Sequence, residues 1–343
     1  MNNPLKMEEN FLIQSIHNAY GLSLQNLNFL LRGWGGDCYS GDDKNGTRYF
    51  LKLHDETDFL ALAVSSKAFF LPLMDQLHRL GILPHVPCPV HTKSGAFSLQ
   101  IAPYEVVITN FIAGNLVGFG QLPGAVFSQL AKLVGILHHS IAQLAFEHPF
   151  IDQFEINYEV LLLRLLQDLE KVTHQDRRGQ QNLREQLTPW KADILTLLEH
   201  QKNLQTYART ADVEMVICHT DLHGANLMTN QAGDLFILDW ENAIIAPPEH
   251  DLFFFVGDER FWDHFLPIYR EYNPALELDV KIFEFYFLRR FFEDVTDFIL
   301  RIMNGEGSTE RDQDDLREIM DYIHGQDKVQ KTLLQSQKKI DGD

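Results

Sequence analysis

The sequence predicts an α+β protein, and three observations carry that expectation. Strand-like runs separated by turn residues gather in the first 111 residues. Helical periodicity dominates from residue 122 onward. That helical stretch is broken at residues 213–241, where an apolar strand, a polar loop and a hairpin follow one another. A length of 343 residues suits two domains, or one domain with a large extension. Hydrophobic content of 45% and charged content of 22% are ordinary for a globular protein, and no apolar run approaches the roughly 20 residues that span a bilayer. The N-terminus has no charged region leading into an apolar core, so cytoplasmic localisation without a membrane partner is expected. The net charge of −19 disfavours nucleic acid and anionic lipid, which attract proteins through their phosphates, and favours a cationic small molecule. Cys38, Cys88 and Cys218 are odd in number and widely spaced, which makes neither a disulfide framework nor a zinc site.

Residues 11–20 have helical spacing, with Leu12, Ile16 and Tyr20 on one face and Gly21 as the stop. Residues 27–31 lead into Arg-Gly-Trp-Gly-Gly-Asp-Cys-Tyr-Ser, a Gly-rich turn. Gly35 and Gly36 would let backbone N–H groups approach a phosphate, although any tight turn also uses glycine. Residues 42–46 signal a hairpin, and the run 48–53 alternates, placing Phe50 and Lys52 on one face and Tyr49, Leu51 and Leu53 on the other. A helix is expected over residues 59–80 with a kink at Pro72, and the acids in and just before it are Glu56, Asp58 and Asp75. Residues 96–101 and 106–111 read as strands. Residues 122–144 read as a helix with a stripe through Phe127, Leu130, Leu133, Leu137 and Ile141, in which His138 and His139 are structural. Residues 155–172 and 182–207, the latter interrupted at Pro189, read as further helices, and 177–184 as a polar loop or helical insert. Residues 252–256 read as a buried helix segment, 278–303 as an aromatic-rich helix, and 311–339 as one or two terminal helices, with 335–343 fraying.

The segment that carries chemistry reads Cys218-His-Thr-Asp-Leu-His-Gly-Ala-Asn226, then Ile237-Leu-Asp239-Trp-Glu241. Antiparallel pairing of residues 227–229 with 235–238 brings Asn226 and Asp239 together at one end of a hairpin. An Asn and an Asp with open positions suit a hard cation such as Mg²⁺, completed by phosphate oxygens and water. Asp221, on the loop feeding that point, can accept a hydroxyl proton, the arrangement that phosphoryl transfer requires.

His219-x-Asp221-x-x-x-x-Asn226 followed by Ile-Leu-Asp239-Trp-Glu resembles the catalytic loop and metal-binding segment of the aminoglycoside phosphotransferase family, relatives of the protein kinases. The wording of these segments, with Ala246-Pro-Pro-Glu-His-Asp-Leu252 and Arg289-Arg-Phe-Phe-Glu-Asp-Val295, is closest to the spectinomycin phosphotransferase branch. The resemblance implies a two-lobed protein-kinase-like fold: a small antiparallel-sheet lobe over residues 1–109, a hinge at 110–114, and a larger, mainly helical lobe over 115–343. It implies ATP and Mg²⁺ as cofactors. Lys52 would hold the phosphates, Phe50 would form part of the adenine wall, and the backbone of Asn110 and Ile112 would read the adenine edge. Asp221 would be catalytic, Asn226 and Asp239 would hold the metal, and His219 and Asp251 would brace the loop. Glu241, Glu293, Asp294 and Asp297 are candidates for ammonium groups of a small cationic acceptor, most simply an aminocyclitol or aminoglycoside. A monomer or weak dimer is expected.

Other readings remain at this point. Choline, homoserine, sugars and protein Ser/Thr are acceptors elsewhere among such kinases. His219, Asp221 and His223 with Asp239 could instead be metal ligands of a hydrolase, and a kinase-shaped module without activity would explain why residues 59–80 offer apolar side chains where the resembled family pairs its lysine with a helix acid.

Overall fold

The computed structural model describes residues 5–33, 36–55, 62–305 and 307–342. Gly35, Glu56 and Asp58 lie outside the described residues. The chain divides into two compact units. The first comprises Met1–Ile151, Val216–Ala246 and His264–Pro274; the second comprises Asp152–Met215, Pro247–Asp263 and Ala275–Asp343.

In the first unit, β1 (Asn28–Gly33), β2 (Gly36–Asp42), β3 (Arg48–Asp55), β4 (Ser98–Ile101) and β5 (Tyr104–Asn110) form a sheet ordered β1-β2-β3-β5-β4. Every neighbouring pair is antiparallel. The expected alternation on β3 is observed: Leu51 and Leu53 are fully buried with Tyr39, Val106 and Ile108. Helix Glu9–Tyr20 covers that face with Leu12, Ile16 and Tyr20, which are spaced one turn apart because 3.6 residues make a turn. Burying each such Leu or Ile contributes about 1.5–3 kcal/mol. Gly21 ends this helix at φ 79°, its N–H donating to the carbonyl of His17. Phe50 and Lys52 are left on the opposite face, where they line a cavity. At the turn between β2 and β3, the Asp43 carboxylate accepts the N–H groups of Asn45 and Thr47.

The same unit holds helix Leu62–Arg79, with Pro72 inside it, and helix Gly124–His139, which buries Phe127, Leu130, Leu133, Val134 and Leu137. His138 is a buried partner of the Tyr269 hydroxyl at 2.8 Å, the structural role expected for it. Further strands are β6 (Gly114–Leu116), β7 (Val216–Cys218), β8 (Leu227–Asn230), β9 (Leu235–Ile237) and β10 (Ile244–Ala246). β6, β8 and β9 make one small sheet, and β7 pairs with β10. The β8–β9 hairpin closes through Asn230, whose side-chain oxygen accepts the N–H groups of Ala232 and Asp234.

The second unit is helical. Helix Val280–Asn304 is its axis and packs against Glu159–Lys171, Lys191–Ala208, Thr309–His324 and Gln326–Asp341. Asp279 caps it by accepting the N–H of Lys281. Within this unit Arg289 makes two bonds to Asp152, at 2.7 and 3.0 Å, and Tyr286 donates to the same carboxylate. Both members of that ion pair are buried, so neither could lose its partner cheaply.

Two expectations change and one is decided. Of the two readings of 177–184 the helical one holds: Arg178–Leu187 is a helix that buries Leu183 and Leu187, one turn apart, and Gln180 accepts the N–H of Arg177. Two apolar residues suffice because they share a face. The buried run 252–256 is helical only to Leu252 and continues as turns. Residues 335–341 do not fray, since helix Gln326–Asp341 extends to a cap at Gly342 with φ 83°. Among the described residues no helix is long and apolar enough to cross a membrane.

Candidate functional site

β7 delivers His219 and Asp221 into a loop that ends at a short 3₁₀ turn, Gly224–Asn226. His219 is buried and spends both ring nitrogens on backbone. Its Nδ1 accepts the N–H of Asp221 at 3.3 Å, which requires the proton on Nε2, and Nε2 donates to the carbonyl of Leu238 at 2.8 Å. Trp240 meets the imidazole edge-on at 4.9 Å and is itself buried, its Nε1–H donating to the carbonyl of Ile237. His219 thereby ties the start of the loop to the end of β9. With both nitrogens engaged it cannot be a metal ligand. Among the described residues, His219, Asp221, His223 and Asp239 do not bring three ligand atoms to one point, so the metallohydrolase arrangement is not formed.

The hairpin places the residues as the pairing argument requires. Leu227 lies opposite Ile237, and the N–H of Leu238 donates to the carbonyl of Asn226 at 2.8 Å, so Asp239 emerges beside Asn226. Asn226 uses its side-chain NH₂ on Asp221, reaching both the main-chain carbonyl and Oδ2 at 2.9 Å. His223 Nε2 lies 3.3 Å from the same Oδ2. The Asn226 amide oxygen and the Asp239 carboxylate are two hard oxygen donors on adjacent backbone, and the Asp239 side chain is 47% exposed, leaving room for a cation with its waters. Thr220 (φ 72°) and Asp239 (φ 60°) hold left-handed backbone that non-glycine residues rarely adopt. Such strain is retained where surrounding structure enforces it, commonly at functional sites.

Lys52 reaches this point from β3. Its Nζ lies 2.7 Å from Glu241 Oε1 and 3.5 Å from Asp239 Oδ1. Burial works to lower the Lys52 pKa, but Asp239 and Glu241 outweigh it and hold the ammonium above the ordinary lysine range. Burial also pushes the Glu241 carboxyl up, with Lys52 opposing. Among the described residues the nearest acid to Lys52 is thus Glu241, two residues past Asp239. Helix Leu62–Arg79 instead supplies a cation, Lys67, which pairs with Glu105 on β5, and its Asp75 is held by Arg79 and His91. Sequence reasoning missed Glu241 as the partner. No strand alternation signalled it, because Asp239 is in left-handed backbone and both acids lie beyond the end of β9.

Lys52, Asn226, Asp239 and Glu241 border a cavity of about 320 Å³ whose walls include Leu30, Phe50, Val107, Leu116, Met228 and Leu238. Its apolar walls and polar end suit a flat heterocycle bearing an anionic group. Asn110 and Ile112 are also on its border. Asn110 is pinned to Cys88, accepting its N–H at 2.6 Å and donating to its carbonyl at 3.1 Å, whereas Ile112 makes no hydrogen bond among the described residues. Gly36 lies on β2 at φ 153°, and a Cβ there would stand 2.2 Å from the carbonyl oxygen of Leu53. Close approach of two strands therefore accounts for glycine at that position.

The remaining predicted residues lie in the second unit. Asp251 is buried as the third residue of helix Glu249–Leu252, whose N-cap is Pro248, so it is not itself the cap. Asp294 is held by Arg290 at 2.8 Å and by the Tyr322 hydroxyl. The Glu293 side chain makes no hydrogen bond or ion pair among the described residues. Glu293 is an exposed residue of helix Val280–Asn304, and desolvation pushes its carboxyl up to about 7 against the pull of Arg289 and Arg290.

Comparison with known proteins follows the same line. A model of the phosphotransferase enzyme family matches residues 26–277. None of the curated proteins matches the chain significantly in sequence. Among solved structures, a spectinomycin phosphotransferase in complex with ADP and spectinomycin is 18% identical, covers 96% of this chain and 98% of its own, and has a TM-score of 0.69. An amicoumacin kinase in complex with AMP-PNP, Ca²⁺ and its ligand is 16% identical over 92% and 93%, with a TM-score of 0.62. An aminoglycoside phosphotransferase from Alicyclobacillus acidocaldarius is 15% identical over 100% and 98%, with a TM-score of 0.59. At these identities the likeness is one of fold, and that fold is kinase-like.

Proposed function

We propose that this chain, which belongs to the phosphotransferase enzyme family, moves the terminal phosphate of ATP to a hydroxyl of a small cationic acceptor, an aminocyclitol or aminoglycoside of the spectinomycin type. The observation that carries this reading is the meeting of Lys52, Asn226 and Asp239 on one cavity, with Asp221 tied to Asn226.

In this reading the adenine lies between Phe50, Val107 and Met228, with the Asn110 carbonyl and the Ile112 N–H at its edge. Lys52 draws the phosphates to the polar end of the cavity. Asn226 and Asp239 would hold Mg²⁺, which when bound neutralises charge on the β- and γ-phosphates. Asp221 accepts the proton of the acceptor hydroxyl as the oxygen attacks phosphorus, while His219 and Asn226 keep the loop and carboxylate in position. The lobes at 1–109 and 115–343, with a hinge at 110–114, belong to this proposal, as does a loop-bracing role for Asp251. Glu241, Glu293 and Asp294 stay candidates for an ammonium group, and of these Glu241 and Asp294 already serve cations of the chain itself. The acidic net charge favours a cationic acceptor over an anionic one.

A coupled assay of ADP release with Mg²⁺ and ATP tests the proposal against spectinomycin, a kanamycin-type aminoglycoside, choline and a blank without acceptor. Stimulation by spectinomycin is the expected result. Stimulation by choline alone would transfer the reaction to another acceptor class, and silence with all of them would overturn the proposal.

A further inference from the structure

Phe119 is 84% exposed, the greatest exposure among the large apolar side chains of the described residues. Lone exposed apolar residues are ordinary on a protein surface; what sets this one apart is its support. β6 pairs with β8 through Leu116 opposite Met228, and the ladder continues past the strand. The N–H of Val117 donates to the carbonyl of Leu227 at 2.9 Å, and the N–H of Gly118 donates to the carbonyl of Gly224 at 3.0 Å. Gly224 lies in the catalytic loop between His223 and Asn226. The contact is tight, since a Cβ on Gly224 would stand 1.9 Å from the Gly118 oxygen. Phe119 is the first residue beyond this ladder, so its base is fastened to the loop that carries Asp221.

Gly118 and Gly120 flank it at φ 82° and 110°, conformations that a side chain would strain and that turn the Phe119 ring outward. The ring stops 5.3 Å from that of His223, whose Nε2 contacts Asp221 Oδ2. An aromatic face is thus held one residue from the Asp221 carboxylate, with its other side in solvent.

Resting on the function proposed above, we propose that Phe119 is a specificity-determining wall of the acceptor site, its ring face packing on the acceptor beside the reacting hydroxyl. The π-face attracts an ammonium and also suits the C–H face of a saturated ring. The acceptor class is accordingly a hydroxylated ring amine.

The test measures KM and kcat for spectinomycin and for MgATP in the wild type, Phe119→Ala and Phe119→Trp. Phe119→Ala is expected to raise the KM for spectinomycin about tenfold, with the KM for MgATP within about twofold, and Phe119→Trp to restore it. In Phe119→Trp, tryptophan fluorescence in the presence of MgADP is expected to change with spectinomycin over the same concentration range. A spectinomycin KM unchanged in Phe119→Ala overturns this inference and leaves the phosphotransferase reading intact. So does an equal rise in both KM values, which marks general damage to the loop. A wild-type enzyme silent with every acceptor overturns that reading and this inference with it.

Discussion

Glu241 Oε1 stands 2.7 Å from Lys52 Nζ, closer than Asp239 at 3.5 Å. One short segment therefore supplies both the carboxylate suited to a metal and the carboxylate that aims the lysine. Trp240, between them in sequence, is buried.

Replacing Glu241 by Gln leaves a desolvated ammonium with Asp239 as its nearest acid, so Lys52 competes with a cation for Asp239. A charge-assisted bond of this kind contributes about 1.5–3 kcal/mol. The KM for MgATP should rise about tenfold or more, and activity should require more Mg²⁺. Steady-state kinetics across a magnesium series checks this; an unchanged KM would assign the placement of Lys52 to Asp239 alone.

Asp221→Ala removes the proposed proton acceptor, which does not itself line the cavity. We expect kcat to fall by roughly 10²–10⁴ while calorimetry still detects nucleotide binding. Asp239→Ala should lose metal-dependent nucleotide binding as well. Wild-type turnover in Asp221→Ala would refute the assignment.

Three glycines rank by what a methyl group would meet. At Gly224 it would strike backbone at 1.9 Å, at Gly118 it would find space but strained φ, and at Gly124, the first residue of a helix, it would find neither obstacle. Gly224→Ala should cost about 1–3 kcal/mol, Gly118→Ala about 1 kcal/mol, and Gly124→Ala close to nothing. Thermal melting of the three variants gives the order directly.

Glu249, in the second unit, is fully buried and accepts the N–H of Asp279 at 2.8 Å. Burial raises its carboxyl from 4.5 to about 7, partly opposed by that bond. A raised folded pKa means the group destabilises as pH climbs from 4.5 through 7, where the unfolded chain ionises first. Glu249→Gln keeps the acceptor oxygen and should stabilise by on the order of 3 kcal/mol at pH 8, with the gain vanishing towards pH 4.5. Denaturant melts at the two pH values measure it, and an equal gain at both would show that ionisation is not the cause.

Much of this was legible in the chain. The periods of 3.6 and 2 placed helix Glu9–Tyr20 and the two faces of β3, because side-chain direction follows from backbone geometry alone. The spacing from His219 through Asp221 and Asn226 to Asp239 was readable for the same reason: a loop and a hairpin are local, so their ends meet wherever the rest of the molecule lies. Helix Arg178–Leu187 was left open between loop and helix because just two of its residues, Leu183 and Leu187, are buried, too few to establish a period.

What the tertiary structure alone decided are the pairings between segments far apart. Lys52 takes Glu241 and leaves Lys67 to Glu105, Asp294 accepts the hydroxyl of Tyr322 from another helix, and Gly36 is glycine because β3 passes 2.2 Å from where its Cβ would stand. Coulomb attraction and steric exclusion depend on distance in space, and sequence separation does not encode that distance. The residue types on the chain limited which partners were chemically possible, and packing selected among them.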